Sequence, residues 1–283
     1  MHPNTEDMSG GDVAVVLPAG GVGVRMGPLP QGPKQLMIVH GRSILAHAIA
    51  GVRHLTRVKL VVVVTSEHLF DRVRADVESL LTMDDSQSKN SIDGAGLASS
   101  DDEVSSRAAP VEVICRPADA IDSRHSSIAH GVEYLRDRGF PLVLVHDAVR
   151  PIVPLQLVEK LLRAAEEYGA AGPWVPLVST VLRIDVNGLV EDTIPRYPDA
   201  EQKLHVNSEM PQVFQYPILA KAYSLCDEHE LVHGTECLEL VRRYCGVRAK
   251  MIRGDPALLW KVTLPRDIHL AERELKPPST SSS

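Results

Sequence analysis

The hydrophobic residues of this chain fall into short continuous runs, separated by segments with helical spacing. Runs rich in Val, Ile and Leu predict strands covered on both faces, because such strands lose the alternation of polar and apolar positions. The runs of this kind lie at residues 12–17, 59–65, 111–116 and 141–147. Amphipathic spacing predicts helices at residues 43–55, 67–81, 126–139, 155–169, 217–229 and 235–245, and a closing helix with Pro265 in its first turn.

The alternation of strands and helices predicts an α/β fold with a doubly wound, mostly parallel sheet. A further strand is predicted at residues 170–178, and short ones at 250–252 and 261–263. The segment 179–206 differs, since its polar and apolar residues alternate around Asn187-Gly188, which is a strong hairpin signal. We therefore expect a β-arm that protrudes from the sheet.

The polar stretches set the expected domain boundaries. One domain is predicted over residues 12–276, between a disordered N-terminus, 1–11, and a disordered low-complexity tail, 277–283. The Ser/Asp-rich segment 83–110 has almost no large apolar residues and is interpreted as a mobile surface insertion.

Composition narrows the classes of function. The chain of 283 residues carries 30 Lys+Arg against 37 Asp+Glu, a net charge of −7, which argues against a general binder of nucleic acid or anionic membranes. Its first apolar run is too short to span a membrane. The four cysteines are widely spaced, which argues against zinc and disulfides and favours a reducing cytosol.

The strongest chemical signal follows the first strand, in LPAGGVGVRMGPLPQGPKQL at residues 17–36. Its glycines let backbone N–H groups approach an anion, and Arg25 and Lys34 add positive charge, so a polyphosphate is the expected ligand. These glycines are Gly20, Gly21 and Gly23. A P-loop would need Gly-Lys-Ser/Thr, and the spacing of the glycines is one residue too long for a dinucleotide fingerprint.

This string and six later ones resemble the sugar-phosphate cytidylyltransferases of the methylerythritol-phosphate and ribitol-phosphate type. The later strings are SRHSSIAHGV (123–132), VHDAVRP (145–151), VPLVST (175–180), SEMPQVF (208–214), GTECLEL (234–240) and LWKVTLPRD (259–267). The resemblance covers roughly residues 12–276, and HDAVRP, SEMPQ and GTECLEL look most like the animal branch, which makes CDP-ribitol for dystroglycan glycosylation.

The resemblance implies a Rossmann-like nucleotidyltransferase that uses CTP, Mg²⁺ and a polyol phosphate, expected to be D-ribitol 5-phosphate. It also implies a homodimer formed through the β-arm. Four alternatives stay open: 2-C-methyl-D-erythritol 4-phosphate as acceptor, another nucleotide with a hexose phosphate, a nucleotide-binding protein without catalysis, and a hydride-transfer enzyme.

The resemblance also implies roles for particular residues. Arg25 and Lys34 would neutralise the β- and γ-phosphates and the leaving group, and Lys261 would bind the acceptor's phosphate or the transition state. Base or ribose recognition falls to the glycine loop and to a helix start, whose free N–H groups and hydroxyls suit it. The residues concerned are Ala19, Gly20, Arg124 and Ser127.

A carboxylate at the carboxyl end of a parallel strand faces the ligand crevice, so Asp147 is the predicted Mg²⁺ ligand. Arg150 is interpreted as an orienting residue and Thr180 as an acceptor contact, and Arg196 or Lys203 on the arm could reach the acceptor. His146 and Trp260 are expected to pack, and Glu236 to cap a helix.

Overall fold

The computed structural model describes residues 11–21, 32–92, 108–195, 197 and 203–275, with the backbone alone for 85–92. Gly23, Arg25 and Arg196 therefore lie outside the described residues. So do most of the predicted N-terminal tail, the C-terminal tail and residues 93–107 of the predicted insertion. The predictions made for these positions stay predictions.

The secondary structure alternates as expected. The strands are β1 Val13–Pro18, β2 Ile38–Val39, β3 Arg42–Ser43, β4 Val58–Thr65, β5 Val111–Cys115, β6 Leu142–Val145, β7 Ala170–Pro176, β8 Val181–Ile184, β9 Val190–Ile194, β10 Val206–Ser208, β11 Gln212–Gln215 and β12 Lys250–Arg253. The α-helices are α1 Ile44–Arg53, α2 Phe70–Ile92, α3 Arg124–Tyr134, α4 Leu155–Tyr168, α5 Tyr216–Leu225, α6 Glu228–His233, α7 Cys237–Cys245 and α8 Arg266–Glu274. Short 3₁₀ turns occupy Lys34–Leu36 and Glu67–Leu69.

One eight-stranded sheet organises the molecule, in the order β10-β7-β11-β6-β1-β4-β5, with β12 also paired to β7. Strands β6, β1, β4 and β5 are mutually parallel, and β11 runs antiparallel between β6 and β7. The predicted doubly wound, mostly parallel α/β sheet is confirmed. The chain adds β4 and β5 on one side of β1 and β6 on the other, so the order reverses at β1.

The continuous apolar run of β1 is explained by helices on both faces of the sheet. Val13, Val15 and Leu17 pack in the cluster that includes α1, α2 and α4. Ala14 and Val16 pack in the other cluster, with α3, α5 and α7. Helix α3 comes very close to the strand, because a Cβ at Gly131 would lie 2.6 Å from Val16 Cγ1. This approach brings the start of α3 to the edge of the sheet.

Three details differ from the sequence predictions. Residues 83–92, expected to begin a mobile insertion, continue α2, and Asp84 within them binds Arg42 at 3.1 Å and Arg53 at 2.9 Å. The helix predicted at 217–229 breaks after Leu225, because Asp227 caps a new helix, α6. Residues 261–263 are not a strand; Val262 N instead donates to Val149 O at 2.9 Å.

The predicted hairpin is confirmed. Strands β8 and β9 form a two-stranded sheet separate from the main one. Their turn is held by Asp185 Oδ1, which accepts from the N–H of Asn187 at 2.9 Å and of Leu189 at 2.8 Å, while Gly188 takes a φ of +84° that favours glycine. No helix in the described ranges is both long and apolar enough to cross a membrane.

Candidate functional site

A cavity of about 370 Å³ opens at the carboxyl ends of β1 and β6. This is the point where the strand order reverses, which is where open α/β sheets bind ligands. The cavity is lined by the sequence-predicted residues Ala19, Gly20, Gly21, Lys34, Arg124, Ser127, Asp147 and Lys261. The fold therefore brings together four segments far apart in the chain.

The glycine loop after β1 is held from behind by Gln35. The Nε2 group of this side chain, which is only 2% exposed, donates to Ala19 O at 2.7 Å and to Gly21 O at 3.0 Å. A Cβ at Gly20 would lie 3.1 Å from the backbone nitrogen of Ser66, so the loop passes close to the end of β4. The sequence reasoning missed Gln35, although it lies in the same string as Lys34.

The start of α3 forms the opposite wall. Ser123 caps the helix by accepting from Ser126 N at 2.9 Å, and Ser127 Oγ donates to Ser123 O at 3.1 Å. The first N–H groups of a helix lack partners within the helix and favour negative charge, which suits a phosphate or ribose oxygen in this cavity. The residue that caps this helix is therefore Ser123, and Ser127 lies in the first turn.

Asp147 is the centre of a charged cluster. Its Oδ1 accepts from Arg124 Nε at 2.9 Å, and its Oδ2 accepts from Arg150 Nε at 3.2 Å. The ammonium of Lys261 lies 3.9 Å from Oδ2. Arg150 continues the cluster away from the cavity, where its Nη1 pairs with Glu209 Oε2 at 2.6 Å and donates to Leu259 O.

The charges of this cluster are mutually stabilised. Burial would raise the pKa of Asp147, but the guanidinium groups of Arg124 and Arg150 and the ammonium of Lys261 outweigh burial and hold it well below the ordinary carboxyl range. Burial likewise works against the charge of Arg124, yet Asp147 raises the pKa of this guanidinium above its usual value. Both groups are therefore ionised at neutral pH.

The described residues do not by themselves fit a protein-held magnesium site. Among them, no cluster of three or more His, Cys, Asp or Glu could hold a metal ion. Asp147 is the predicted ligand, but both its oxygens already accept from guanidinium groups. Mg²⁺ needs near-octahedral oxygen coordination, so most of its ligands would have to come from phosphate groups and water.

Three residues predicted to belong to the site do not line the cavity, and two residues were predicted to have structural roles. Arg150, with 9% of its side chain exposed, does not line the cavity, and neither do Thr180 and Lys203, which are exposed. Two structural predictions are confirmed. Glu236 caps α7 by accepting from Leu238 N at 3.0 Å, and Trp260 packs against the cluster between β2, α1 and α8.

Two buried histidines lie beside the cavity. His146 donates from Nε2 to Arg150 O at 2.9 Å, and burial lowers its pKa to about 4. His125 Nδ1 lies 2.9 Å from the hydroxyl of Tyr223, and burial, with help from Arg124, lowers its pKa to about 4 as well. His146 is thus the packed neighbour that the sequence predicted, and it is neutral at pH 7.

These two histidines make the fold less stable in mild acid. In the unfolded chain they take up protons near the ordinary value of 6.5, whereas the folded chain resists protonation until about pH 4. Stability therefore falls as the pH drops from 6.5 to 4, by up to about 1.4 kcal/mol per pH unit for each histidine. Urea unfolding at pH 7 and pH 5 measures this loss.

The variant His125→Gln should show a shallower loss, and His269→Gln, at an exposed position, should show the loss of the unmodified protein. Equal free energies of unfolding at pH 7 and pH 5 would contradict the neutral state of both buried imidazoles.

This chain is similar in sequence and in fold to known cytidylyltransferases. The family model for IspD, 2-C-methyl-D-erythritol 4-phosphate cytidylyltransferase, matches residues 13–276. A D-ribitol-5-phosphate cytidylyltransferase of Xenopus tropicalis is 32% identical over 94% of this chain and 57% of its own length, and the human one is 33% identical over 93% and 51%. The chain thus spans about half the length of these curated relatives.

Some bacterial relatives are matched over nearly their whole length. A 2-C-methyl-D-erythritol 4-phosphate cytidylyltransferase of Acidobacterium capsulatum is 26% identical over 95% of this chain and 99% of its own. The fold is similar to that of 4-diphosphocytidyl-2C-methyl-D-erythritol synthase from Anaerococcus prevotii, with a TM-score of 0.66 and 20% identity over 93% and 95% of the two chains. Because the family model matches nearly all of the sequence, this chain belongs to the 2-C-methyl-D-erythritol 4-phosphate cytidylyltransferase (IspD) family.

Proposed function

We propose that this chain is a cytidylyltransferase that joins the CMP part of CTP to D-ribitol 5-phosphate and releases pyrophosphate. The observation that carries the proposal is the cavity at the switch point of the sheet, where a glycine loop and a helix start meet Lys34, Arg124 and Lys261. Such a site binds a polyphosphate and a second phosphate through backbone N–H groups and fixed positive charges.

The chemistry of this transfer needs positioning rather than a strong base. One oxygen of the acceptor's phosphate forms a bond to the α-phosphorus of CTP, and the bond from that phosphorus to the β-phosphate oxygen breaks. Pyrophosphate leaves with the electron pair. A phosphate monoester is already largely ionised near neutral pH. The neutral, fully buried His146 is therefore not required as a base.

The cations of the cavity would stabilise the negative charge that develops on the phosphates during this transfer. Lys34 lies beside the glycine loop, where the β- and γ-phosphates would bind. Arg124 lies at the start of α3, on the nucleotide's side of Asp147, and Lys261 would meet the phosphate of the acceptor. Fixed positive groups in a partly dehydrated cavity stabilise the transition state without reorganising. The predicted role of Arg25 on the leaving group remains part of the proposal.

The choice of acceptor rests on the similar proteins. Those named for D-ribitol 5-phosphate are 32–33% identical to this chain, against 26–30% for bacterial enzymes named for 2-C-methyl-D-erythritol 4-phosphate. The family description names the latter acceptor, which is the second candidate. CDP-ribitol would then supply a transferase that glycosylates protein, and four unpaired cysteines favour a reducing compartment such as the cytosol.

We also infer that Mg²⁺ enters with the nucleotide. Three cationic groups around Asp147 oppose a metal ion in the empty cavity, whereas a triphosphate brings both negative charge and oxygen ligands. The activity should therefore need Mg²⁺ even though the described residues form no metal cluster.

The first test is pyrophosphate release with CTP and Mg²⁺, comparing D-ribitol 5-phosphate with 2-C-methyl-D-erythritol 4-phosphate. We expect release with ribitol phosphate, much less with UTP in place of CTP, and none with EDTA. Release with 2-C-methyl-D-erythritol 4-phosphate alone would mean that this second candidate is the acceptor. If neither acceptor gives pyrophosphate while CTP still raises the melting temperature, the chain is a nucleotide-binding protein without catalysis.

Replacing the cation on the acceptor's side tests the site. Lys261→Met removes a half-exposed charge without opening the core, so we expect kcat/KM to fall about 100-fold while the melting temperature changes little. The matched control is Lys59→Met, because Lys59 is exposed on β4 and bonds only Thr56 O among the described residues. A kcat/KM within threefold of the original would remove Lys261 from the site.

The β-arm is proposed as the contact of a homodimer. An isolated two-stranded hairpin is marginal in water, and this one exposes apolar side chains, among them Val186, Leu189 and Ile184. Val186→Ser with Leu189→Ser should convert a dimer to a monomer in sedimentation, while Val232→Ser on α6 should not. A monomeric starting protein, or a double variant that stays dimeric, would contradict this contact.

A further inference from the structure

Glu209 is a partly buried acidic residue beside the site, and the sequence pattern does not single it out. It follows directly on β10, the strand by which the chain returns from the arm to the sheet. Its Oε2 lies 2.6 Å from Arg150 Nη1, with 19% of the Glu209 side chain and 9% of the Arg150 side chain exposed. Charge pairs this far from water are stable only when both partners are well placed.

The backbone around Glu209 fixes the direction of its side chain. Its N–H donates to Pro173 O at 3.0 Å on β7, and its C=O accepts from Gln212 Nε2 at 3.3 Å. Gln212 is itself held by Glu236 Oε1 at 2.7 Å, at the cap of α7. The carboxylate therefore meets Arg150 from a rigid support, and the ion pair is a feature of the fold rather than a flexible surface contact.

Three protein groups contact the guanidinium of Arg150. Its Nε donates to Asp147 Oδ2 at 3.2 Å, and its Nη1 donates to Leu259 O and forms an ion pair with Glu209. Two of the cations that line the cavity are more open, with 30% of the Arg124 side chain and 35% of the Lys261 side chain exposed. Arg150 is thus placed to hold other residues, and the open cations are placed to meet a ligand.

These contacts form a chain of alternating charge, Glu209–Arg150–Asp147–Arg124. Each carboxylate oxygen of Asp147 accepts a hydrogen bond from one guanidinium group. The bond from Arg150 to Oδ2 therefore fixes the orientation of the carboxylate, and with it the angle at which Oδ1 meets Arg124. Arg150 also binds Leu259 O, in the segment that carries Lys261 two residues later. One guanidinium is therefore linked to Arg124 through Asp147 and to Lys261 through the backbone of its segment.

We propose that Glu209 is a positioning residue for the transfer reaction, acting through Arg150 and Asp147 on Arg124 and Lys261. This inference rests on the proposed function and deepens it. Arg150 then belongs to the frame of the site and does not contact the acceptor. A glutamine at position 209 would match the glutamate in size but would carry no charge. Arg150 would then keep Asp147 as its one charged partner, and its guanidinium would turn toward Asp147.

The test is a double-mutant cycle of Glu209→Gln and Arg150→Lys, read in kcat, in the KM values for CTP and acceptor, and in melting temperature. We expect Glu209→Gln to lower kcat about tenfold, with both KM values within about twofold, because the geometry of the charges changes while the ligand contacts remain. In the Arg150→Lys background the same change should lower kcat by less than about twofold, since a lysine lacks the fork through which Glu209 acts.

The matched control is Glu239→Gln, which breaks an exposed pair with Arg242 at 2.7 Å on α7 and should leave kcat and both KM values unchanged. Three results would overturn the inference. They are an unchanged kcat in Glu209→Gln, an equal loss in both backgrounds, and a raised KM for the acceptor at constant kcat, which would mean that Glu209 binds the acceptor itself.

An unmodified protein that releases no pyrophosphate with any acceptor would refute the proposed function separately. The cycle is then read in melting temperature, where additive shifts of the two substitutions would refute the coupling of Glu209 to Arg150, and a smaller combined shift would support it.

Discussion

A carboxylate removed from water needs partners, and Asp147 is such a group, with 8% of its surface exposed. Left alone, its burial would cost several kcal/mol, so the fold must bring positive charge to it. The partners come from three places: the start of α3, the turn after β6 and the segment before α8. The need to neutralise this one charge therefore determines how these segments converge at the mouth of the cavity.

The same convergence explains how an acidic protein offers a site for anions. The chain carries a net charge of −7, yet the cavity is lined by Lys34, Arg124 and Lys261 against the carboxylates of Asp147 and Asp122. The electrostatic potential inside a cleft depends on the charges nearest to it rather than on the net charge of the protein. Asp147 pairs with Arg124 and Lys261, and both of these cations remain partly exposed at the cavity.

Packing of the sheet supports this arrangement. Helix α3 can place Ser123 and Arg124 at the carboxyl edge only because Gly131 lets it lie against Val16 of β1. On the other side, β11 runs antiparallel between β6 and β7, and the loop before it holds Glu209 against Arg150. The hairpin β8–β9 extends from this same edge and stays outside the main sheet.

The sequence by itself determined the layered α/β fold, the hairpin at Asn187-Gly188 and most of the residues that line the cavity. Buried strands and glycine loops depend on neighbours within a few positions, so hydrophobic spacing and turn chemistry reveal them. The break after Leu225 and the extension of α2 past residue 83 were missed, because the first depends on the cap by Asp227 and the second on the contacts of Asp84 with distant arginines.

Only the tertiary structure decided which charges meet. Glu209 lies 59 positions after Arg150 in the chain, Gln35 supports carbonyl groups 14 and 16 positions before it, and Arg124 and Asp147 are 23 positions apart. No local pattern encodes such pairs, since they arise when separate strands end at one edge of a sheet. For the same reason the sequence offered Arg150 as an orienting residue, but only the tertiary structure shows that its guanidinium contacts Asp147, Glu209 and Leu259 O.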